Sequence, residues 1–398
     1  MNESVPRKLT MPMAPWPNYD DEQIDAITAI YRSGRVNYLR GKIGPAFEQE
    51  FCDWSGSKKA IAVGNGTLAI EIILRGLGLK PGDEVITTPR TFIATSSACV
   101  LNGLIPVLAD IDIESGNITP ETVAPLITSK TKAIIPVHLG GWPCDMHGFN
   151  ALAEEKGIYV IEDCAQAHGA KIDGRSVGTF GKANAWSFCL DKIITTGGEG
   201  GMVTTDDEEL WAHMWSLKDH GKSYDAVFNR KHPPGFQWLH EGWGTNWRIT
   251  EPQSEIGRIQ LSRMPQWHAE RTKNAELLRD RFSSLSALHV PWPGPGLENA
   301  WYRFYVHINQ DALKDGWSRD RIQAECQALG FNISVGSCSE IYLEKCFKDS
   351  GYGPSEPLPN AQKMTGLALA FLVHPGHTEE MLHAVADTFE DVVKMATR

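Results

Sequence analysis

Ser187-Phe-Cys-Leu-Asp-Lys192-Ile-Ile-Thr-Thr-Gly-Gly-Glu-Gly-Gly201 places one lysine between the end of an apolar segment, Ala183 to Phe188, and a glycine-rich loop. A lysine ammonium is a poor nucleophile at neutral pH. A low-dielectric pocket or a nearby cation lowers its pKa, and the amine can then condense with an aldehyde as a Schiff base. Ser187, on the same short segment, can hold a phosphate while Lys192 holds the aldehyde. Pyridoxal 5'-phosphate (PLP) carries both groups. The tail Gly-Gly-Glu-Gly-Gly also suits a phosphate loop, but it lacks the G-x-x-x-x-G-K-[ST] order of nucleotide hydrolases. Taken alone, Lys192 reads first as a solvated loop residue, one of 38 Lys and Arg, so its surroundings decide.

Outward from that run, short apolar segments alternate with stretches of helical period. The expected strands are Ala60–Val63, Glu84–Thr88, Pro106–Ala109, Ala133–Val137, Tyr159–Glu162, Ala183–Phe188 and Met202–Thr204. Between them Thr67–Gly78, Ile93–Asn102, Pro120–Leu126 and Met146–Lys156 suit helices, and residues 206–218 follow as another. This alternation predicts an α/β fold with a mostly parallel seven-stranded sheet flanked by helices. Residues 219–248 are irregular, with His, Gly, Pro and Trp throughout, and so long a stretch is usually functional or disordered. A helix over Glu251–Leu285 is expected, broken near Pro265. Phe304–Ile308 reads as a strand, and Ser318–Leu329 and Thr378–Ala396 read as helices, which makes the last part a smaller α+β unit. The expected division is an N-terminal arm over 1–20, a large PLP-binding α/β domain over 21–262 and a small C-terminal α+β domain over 263–398.

Composition sets the bounds. In 398 residues, 42% are hydrophobic and 22% charged, ordinary for a soluble chain with a sizeable core. A net charge of −11 argues against a nucleic-acid surface. The one basic stretch, Lys218 to Lys231, reads as an exposed loop. Cys52, Cys99, Cys144, Cys164, Cys189, Cys326, Cys338 and Cys346 show no C-x-x-C spacing, so no metal site is expected and several should be buried thiols. With no signal peptide and no long apolar run, no membrane contact is expected and the chain reads as cytoplasmic, its thiols reduced.

Four further segments carry candidate chemistry, and ligands of open α/β sheets bind beyond the carboxyl ends of strands. Val63-Gly-Asn-Gly66-Thr67-Leu-Ala runs from a strand into a helix, so Gly66 and Thr67 suit a phosphate cradle. The same residues suit an ordinary turn with Thr67 as helix cap. Ile161-Glu-Asp163-Cys-Ala-Gln166-Ala-His168 puts Asp163 at a strand end. A carboxylate there can keep a pyridine nitrogen protonated, and Gln166 can bond a ring hydroxyl. The plainer account has Asp163 capping a turn and His168 buried and hydrogen-bonded. In Thr88-Pro-Arg-Thr-Phe92, Phe92 suits stacking on a planar ring or, more plainly, a place in the core. Gly242-Trp-Gly-Thr-Asn246-Trp-Arg precedes a helix capped by Thr250, and a cap does not explain the Asn-Trp-Arg before it.

These strings, in this order, resemble the DegT-type sugar aminotransferases, a branch of the fold-type I PLP enzymes. The matching strings are Gly64-Asn-Gly-Thr-Leu-Ala, Pro89-Arg-Thr-Phe-Ile-Ala-Thr, Glu162-Asp-Cys-Ala-Gln-Ala-His-Gly-Ala, Ser187-Phe-Cys-Leu-Asp-Lys-Ile-Ile-Thr-Thr-Gly and Gly244-Thr-Asn-Trp-Arg-Ile-Thr-Glu, with Phe47-Glu-Gln-Glu-Phe and Pro136-Val-His-Leu-Gly-Gly besides. Residue by residue, the resemblance implies that Lys192 is the Schiff-base lysine and that Asp163 pairs with the pyridine nitrogen. It places Gln166 near the ring hydroxyl, Phe92 on the ring face, and Gly66, Thr67 and Ser187 around the phosphate. Asn246 would reach the phosphate of a neighbouring subunit's cofactor, which implies a homodimer with shared active sites.

The implied reaction is transamination in amino-sugar biosynthesis. Glutamate or glutamine gives its amino group to PLP, pyridoxamine 5'-phosphate carries it, and a keto-sugar, expected to be nucleotide-linked, receives it. Alternatives are amination of a keto-cyclitol, a PLP- or pyridoxamine-dependent sugar dehydratase, and a PLP-binding regulator without catalysis. The dehydratase branch replaces the lysine with histidine, and this chain keeps Lys192. Two departures stand out. The loop Thr195-Thr-Gly-Gly-Glu-Gly-Gly carries one glycine more than the family often writes, which predicts a local change only. Residues 219–245 are also unusually rich in Trp, Tyr and His, which predicts a share in shaping the sugar pocket.

Overall fold

Seven strands form the central sheet of the computed structural model, which describes residues 6–9 and 11–398. In chain order they are β1 (Lys59–Val63), β2 (Glu84–Thr87), β3 (Ile105–Leu108), β4 (Thr131–Ile134), β5 (Tyr159–Asp163), β6 (Ala183–Ser187) and β7 (Gly201–Thr205). Each expected strand is present, its ends shifted by a few residues. Their order across the sheet is β1-β7-β6-β5-β4-β2-β3. The ladders joining β6, β5, β4, β2 and β3 are parallel, and β7 alone runs against its neighbours β6 and β1. All five residues of β6 are buried, as a strand covered on both faces requires. Because β1, β2, β5 and β6 point the same way, the residues that follow them emerge at one edge of the sheet.

Helices cover the sheet. Two of them were not expected: α1 (Asp21–Ser33) and α2 (Ile43–Ser55). A capping box of Asp20 and Gln23 starts α1, and α2 buries Phe47, Phe51 and Cys52. After β1 comes α3 (Gly66–Gly76), after β2 comes α4 (Ala94–Leu101), and α5 (Met146–Lys156) and α6 (Glu208–Lys218) follow later. Lys218, expected in an exposed loop, is wholly buried at the end of α6. Its ammonium lies 3.8 Å over the ring of Tyr38, and burial lowers its pKa to about 8. The irregular stretch after it contains a short helix, α7 (Tyr224–Phe228).

The long helix α8 (Glu251–Phe282) is continuous through Pro265, so the expected break does not occur. Its first residue locks it to α2. Glu251 is 1% exposed, and its carboxylate accepts the backbone N–H groups of Lys42, Ile43 and Gly44 at 2.9, 2.9 and 2.8 Å. One buried carboxylate thus satisfies the unpaired amides that open α2.

Further along, α8 changes partners. Leu261 and Met264 pack into the core under the large sheet, and Ala275, Leu278 and Phe282 into a second core. That second core is built on the three-stranded sheet β8 (Leu288–His289), β9 (Phe304–Ile308) and β10 (Ala368–Phe371). Helices α9 (Arg319–Ala328) and α10 (Glu379–Ala396) pack on it. Phe282, Phe371 and Phe389 meet there with ring centroids 5.0 to 5.2 Å apart, and each buried ring contributes roughly 1.5–3 kcal/mol.

Residues 6–9 and 11–20 form neither helix nor strand and dock on this second unit. Arg7 pairs with Asp391, and the Leu9 amide donates to Leu329. Among the described residues, no helix is long and apolar enough to cross a membrane, and all eight cysteines are free.

Candidate active site

At the carboxyl edge of β1, β2, β5 and β6, and facing the C-terminal unit, lies a cavity of about 580 Å³. Gly66, Thr67, Phe92, Asp163, Gln166, Ser187 and Lys192 all line it. Seven of the eight expected site residues, scattered over 127 positions from Gly66 to Lys192, are therefore brought together. Asn246 is not among them. It is exposed and pairs its backbone with Asp219.

Each side chain is placed by its element. At the start of α3 the cap is Asn65, which accepts from the Leu68 amide at 2.9 Å, so Thr67 is not the cap. The N–H groups of Gly66 and Thr67 have no partner within the helix and lie at its positive end, an arrangement that favours an anion. A Cβ at position 66 would lie 2.7 Å from the Ser187 Cβ and 3.0 Å from its hydroxyl. Only glycine lets the helix start approach Ser187 so closely. Phe92 is 70% exposed and contributes its ring to the cavity wall, so it is not a core residue.

Asp163 ends β5 and is 4% exposed. Its two oxygens accept from the Thr95 hydroxyl at 2.9 Å and the Ala165 amide at 3.1 Å. The carboxylate caps a turn and faces the cavity at once. Burial raises its pKa, and the Ala165 and Thr95 bonds, with His138 and Lys192, pull the other way. Gln166 accepts the Gly140 amide on its side-chain oxygen at 2.8 Å. That bond fixes the amide's orientation and leaves its NH2 as a donor. The plainer account of His168 has it buried and hydrogen-bonded. It is instead enclosed by the rings of Trp186 and Phe188 at 5.3 and 5.7 Å, with neither ring nitrogen bonded. Burial, with Lys192 and Arg271 nearby, drops its pKa to about 3, so it is neutral.

Lys192 follows a turn closed by its own amide on the Cys189 carbonyl. Its ammonium lies 3.0 Å from Asp191 Oδ1 and 3.5 Å from the Tyr302 hydroxyl. The sequence predicts that burial, together with a neighbouring cation, lowers its pKa toward neutrality. Burial does act in that direction, but Tyr302 and Asp191 outweigh it and the net shift is upward. The lengthened glycine loop changes only locally: Gly197 and Gly198 take φ of 86° and 120°, a left-handed backbone that suits glycine.

Thr95, Asp191, Tyr302, Arg303 and Trp16 were missed. Thr95 had a signal, since it closes the quoted string Pro89–Thr95, one helical turn beyond Phe92. Trp16 donates its indole N–H to the Lys192 carbonyl at 2.9 Å, across 176 residues, and no local pattern announces such a contact. His138, Glu162 and Cys164 also meet behind the site. Glu162 is already bonded to His138 and to the amides of Gly178, Phe180 and Gly181, and His138 Nδ1 takes the Cys144 amide. The lone pairs that Glu162 and His138 would offer a metal are in use.

The model of the DegT/DnrJ/EryC1/StrS aminotransferase family matches residues 17–390. Among solved structures, the aminotransferase from Psychrobacter cryohalolentis is 50% identical and superposes with a TM-score of 0.95, covering 97% of this chain and 100% of that one. The spore coat polysaccharide biosynthesis protein SpsC of Bacillus subtilis is 33% identical over 94% of this chain and 95% of its own. The dTDP-3-amino-3,4,6-trideoxy-alpha-D-glucose transaminase of Streptomyces venezuelae is 31% identical over 88% and 86%.

Proposed function

We propose, for a chain that belongs to the DegT/DnrJ/EryC1/StrS aminotransferase family, that it moves an amino group from glutamate or glutamine onto a nucleotide-linked keto-sugar, with PLP as cofactor. The observation that carries the reading is the meeting of Lys192, Asp163, Ser187 and Gly66 from three strand ends on one cavity. The transaminase and polysaccharide roles in its relatives' names support the sugar as acceptor.

The residues present fit PLP. The close approach of Gly66 to Ser187 leaves a cradle of amides and hydroxyl for a phosphate. Asp163 would sit against the pyridine nitrogen, the Gln166 NH2 would donate to the ring hydroxyl, and Phe92 would cover the ring. Lys192 would hold the aldehyde carbon. Asn246 would serve the partner's phosphate in a homodimer. When bound, PLP supplies a carbonyl that accepts an amino group and a cationic ring that draws electrons from it.

The protein's own work is then positioning and proton handling. Asp163, buried and fixed by Thr95, must stay ionised. Its raised pKa falls once a cation stands against it, as an opposite charge favours the carboxylate. Lys192 must shed its proton before it can act as a base, and the upward shift places that requirement on the alkaline side.

Borohydride treatment of the PLP-loaded protein should fix a pyridoxyl group on the peptide containing Lys192. A screen of keto-sugar nucleotides with glutamate should release 2-oxoglutarate. A chain that takes up no PLP, or carries the label on another lysine, overturns the reading.

A further inference from the structure

Asp191 and Lys192 are consecutive, and in a regular strand or helix such neighbours point apart. Here the Cys189–Lys192 turn folds them together, with the ammonium 3.0 Å from Asp191 Oδ1. The other carboxylate oxygen, Oδ2, accepts the Tyr302 hydroxyl, and Arg303 stands 4.0 Å from the same oxygen. The ammonium also lies 5.2 Å from the centre of the Tyr302 ring. Both oxygens of Asp191 are thus divided between the lysine and a brace from the other side of the cavity.

That brace is held firmly. Trp301, just before Tyr302, has φ of 53°, a left-handed backbone that a bulky residue rarely takes. Its amide donates to Asn299 Oδ1 at 2.8 Å, and its carbonyl accepts from Arg271 at 3.1 Å. The surroundings impose this conformation, and it delivers Tyr302 to Asp191.

We propose that Asp191, braced by Tyr302, is a positioning residue that holds the Lys192 amine as an ammonium whenever that amine is not bonded to the cofactor. The proposal rests on the reading of Lys192 given above. A freed lysine has four rotatable bonds and would otherwise wander. Held on Asp191, it stays beside the carbon it left. The same contact delays its action as a base, because a carboxylate within 4 Å favours the charged amine. Asp163 from β5 adds to this attraction. His168, neutral with a pKa of about 3, does not oppose it, and Arg303 opposes it only from beyond Asp191.

The test needs neither PLP nor substrate. Cofactor-free full-length protein is treated with acetic anhydride across a pH series, and acetylation of the Lys192 peptide is followed by mass spectrometry with Lys348 as internal standard. In Asp191→Asn the midpoint for Lys192 should fall by about one pH unit, so that acetylation at a fixed pH below it rises about tenfold. Asp191→Glu should restore the wild-type midpoint. Tyr302→Phe, which keeps the ring and loses the brace, should shift it in the same direction by less, and it carries the test if Asp191→Asn does not fold. Identical midpoints in the wild type and in the variants that fold overturn the proposal. Failure of the borohydride experiment would instead remove the aminotransferase reading and leave this measurement standing.

Discussion

The floor of the cavity and the stretch from residue 219 to 248 treat their functional residues in opposite ways. On the floor, Asp163, Gln166 and Ser187 are each 7% exposed or less and bonded to named partners. In the stretch, Phe236, Trp238 and Trp243 are 75%, 83% and 96% exposed. A buried polar group must be satisfied, and satisfaction fixes its geometry. Large exposed aromatics are costly in water, and a cluster of them marks a surface that another molecule covers. The floor is complete within one chain. The stretch, which contains Asn246, lies open, and in our reading the second subunit and the sugar cover it.

The comparison can be broken in four places. Lys192→Ala should lower transamination on the order of 10³-fold with the melting temperature little changed. Turnover above a tenth of wild type would remove Lys192 from its role. Next, Glu251→Ala strands three amides at the start of α2 and should cost about 3 kcal/mol in urea unfolding, even though residue 251 lies outside the cavity lining.

Acid should find the buried histidines. His168 and His307 titrate near 3 in the folded chain because burial excludes their charged form, against an ordinary 6.5 in the unfolded chain. Between those values the unfolded chain binds more protons, so stability falls as pH drops below 6.5 and has no such dependence above it. At pH 5 each histidine should cost about 2 kcal/mol, and His168→Gln should flatten the pH dependence of melting by that amount. Smallest of all, Trp238→Ala should change stability by less than about 0.5 kcal/mol. If it also leaves the sedimentation coefficient and sugar KM untouched, the stretch has no partner and the contrast with the floor dissolves.

The sheet could be read from the chain because each strand is a short apolar run bounded by Gly, Pro or Asp. The helices α1 and α2 could not. Asp20 caps α1, but α2 opens on Lys42, whose side chain caps nothing, and it depends instead on Glu251, some 200 residues away. The unbroken helix at Pro265 shows tertiary packing overriding a local breaker. Within the site, Lys192, Asp163 and Ser187 stood at strand ends, where chemistry and topology agree. Tyr302 and Arg303 enter from the second unit, and Asp191 was legible only as the neighbour of the lysine. The upward shift of Lys192 in the chain alone was hidden for the same reason: burial can be inferred from an apolar context, but a tyrosine arriving from 110 residues away cannot.

Trp16 rests on Trp267 and His374 while its indole holds the carbonyl of Lys192. Residue 16 is therefore clasped between the lysine loop and residues that follow Lys192 by 75 positions or more. The loop that bears the lysine borrows part of its support from segments on both sides of it in the chain. A bulky fusion that draws residues 11–20 away from the body should weaken the enzyme without touching its pocket.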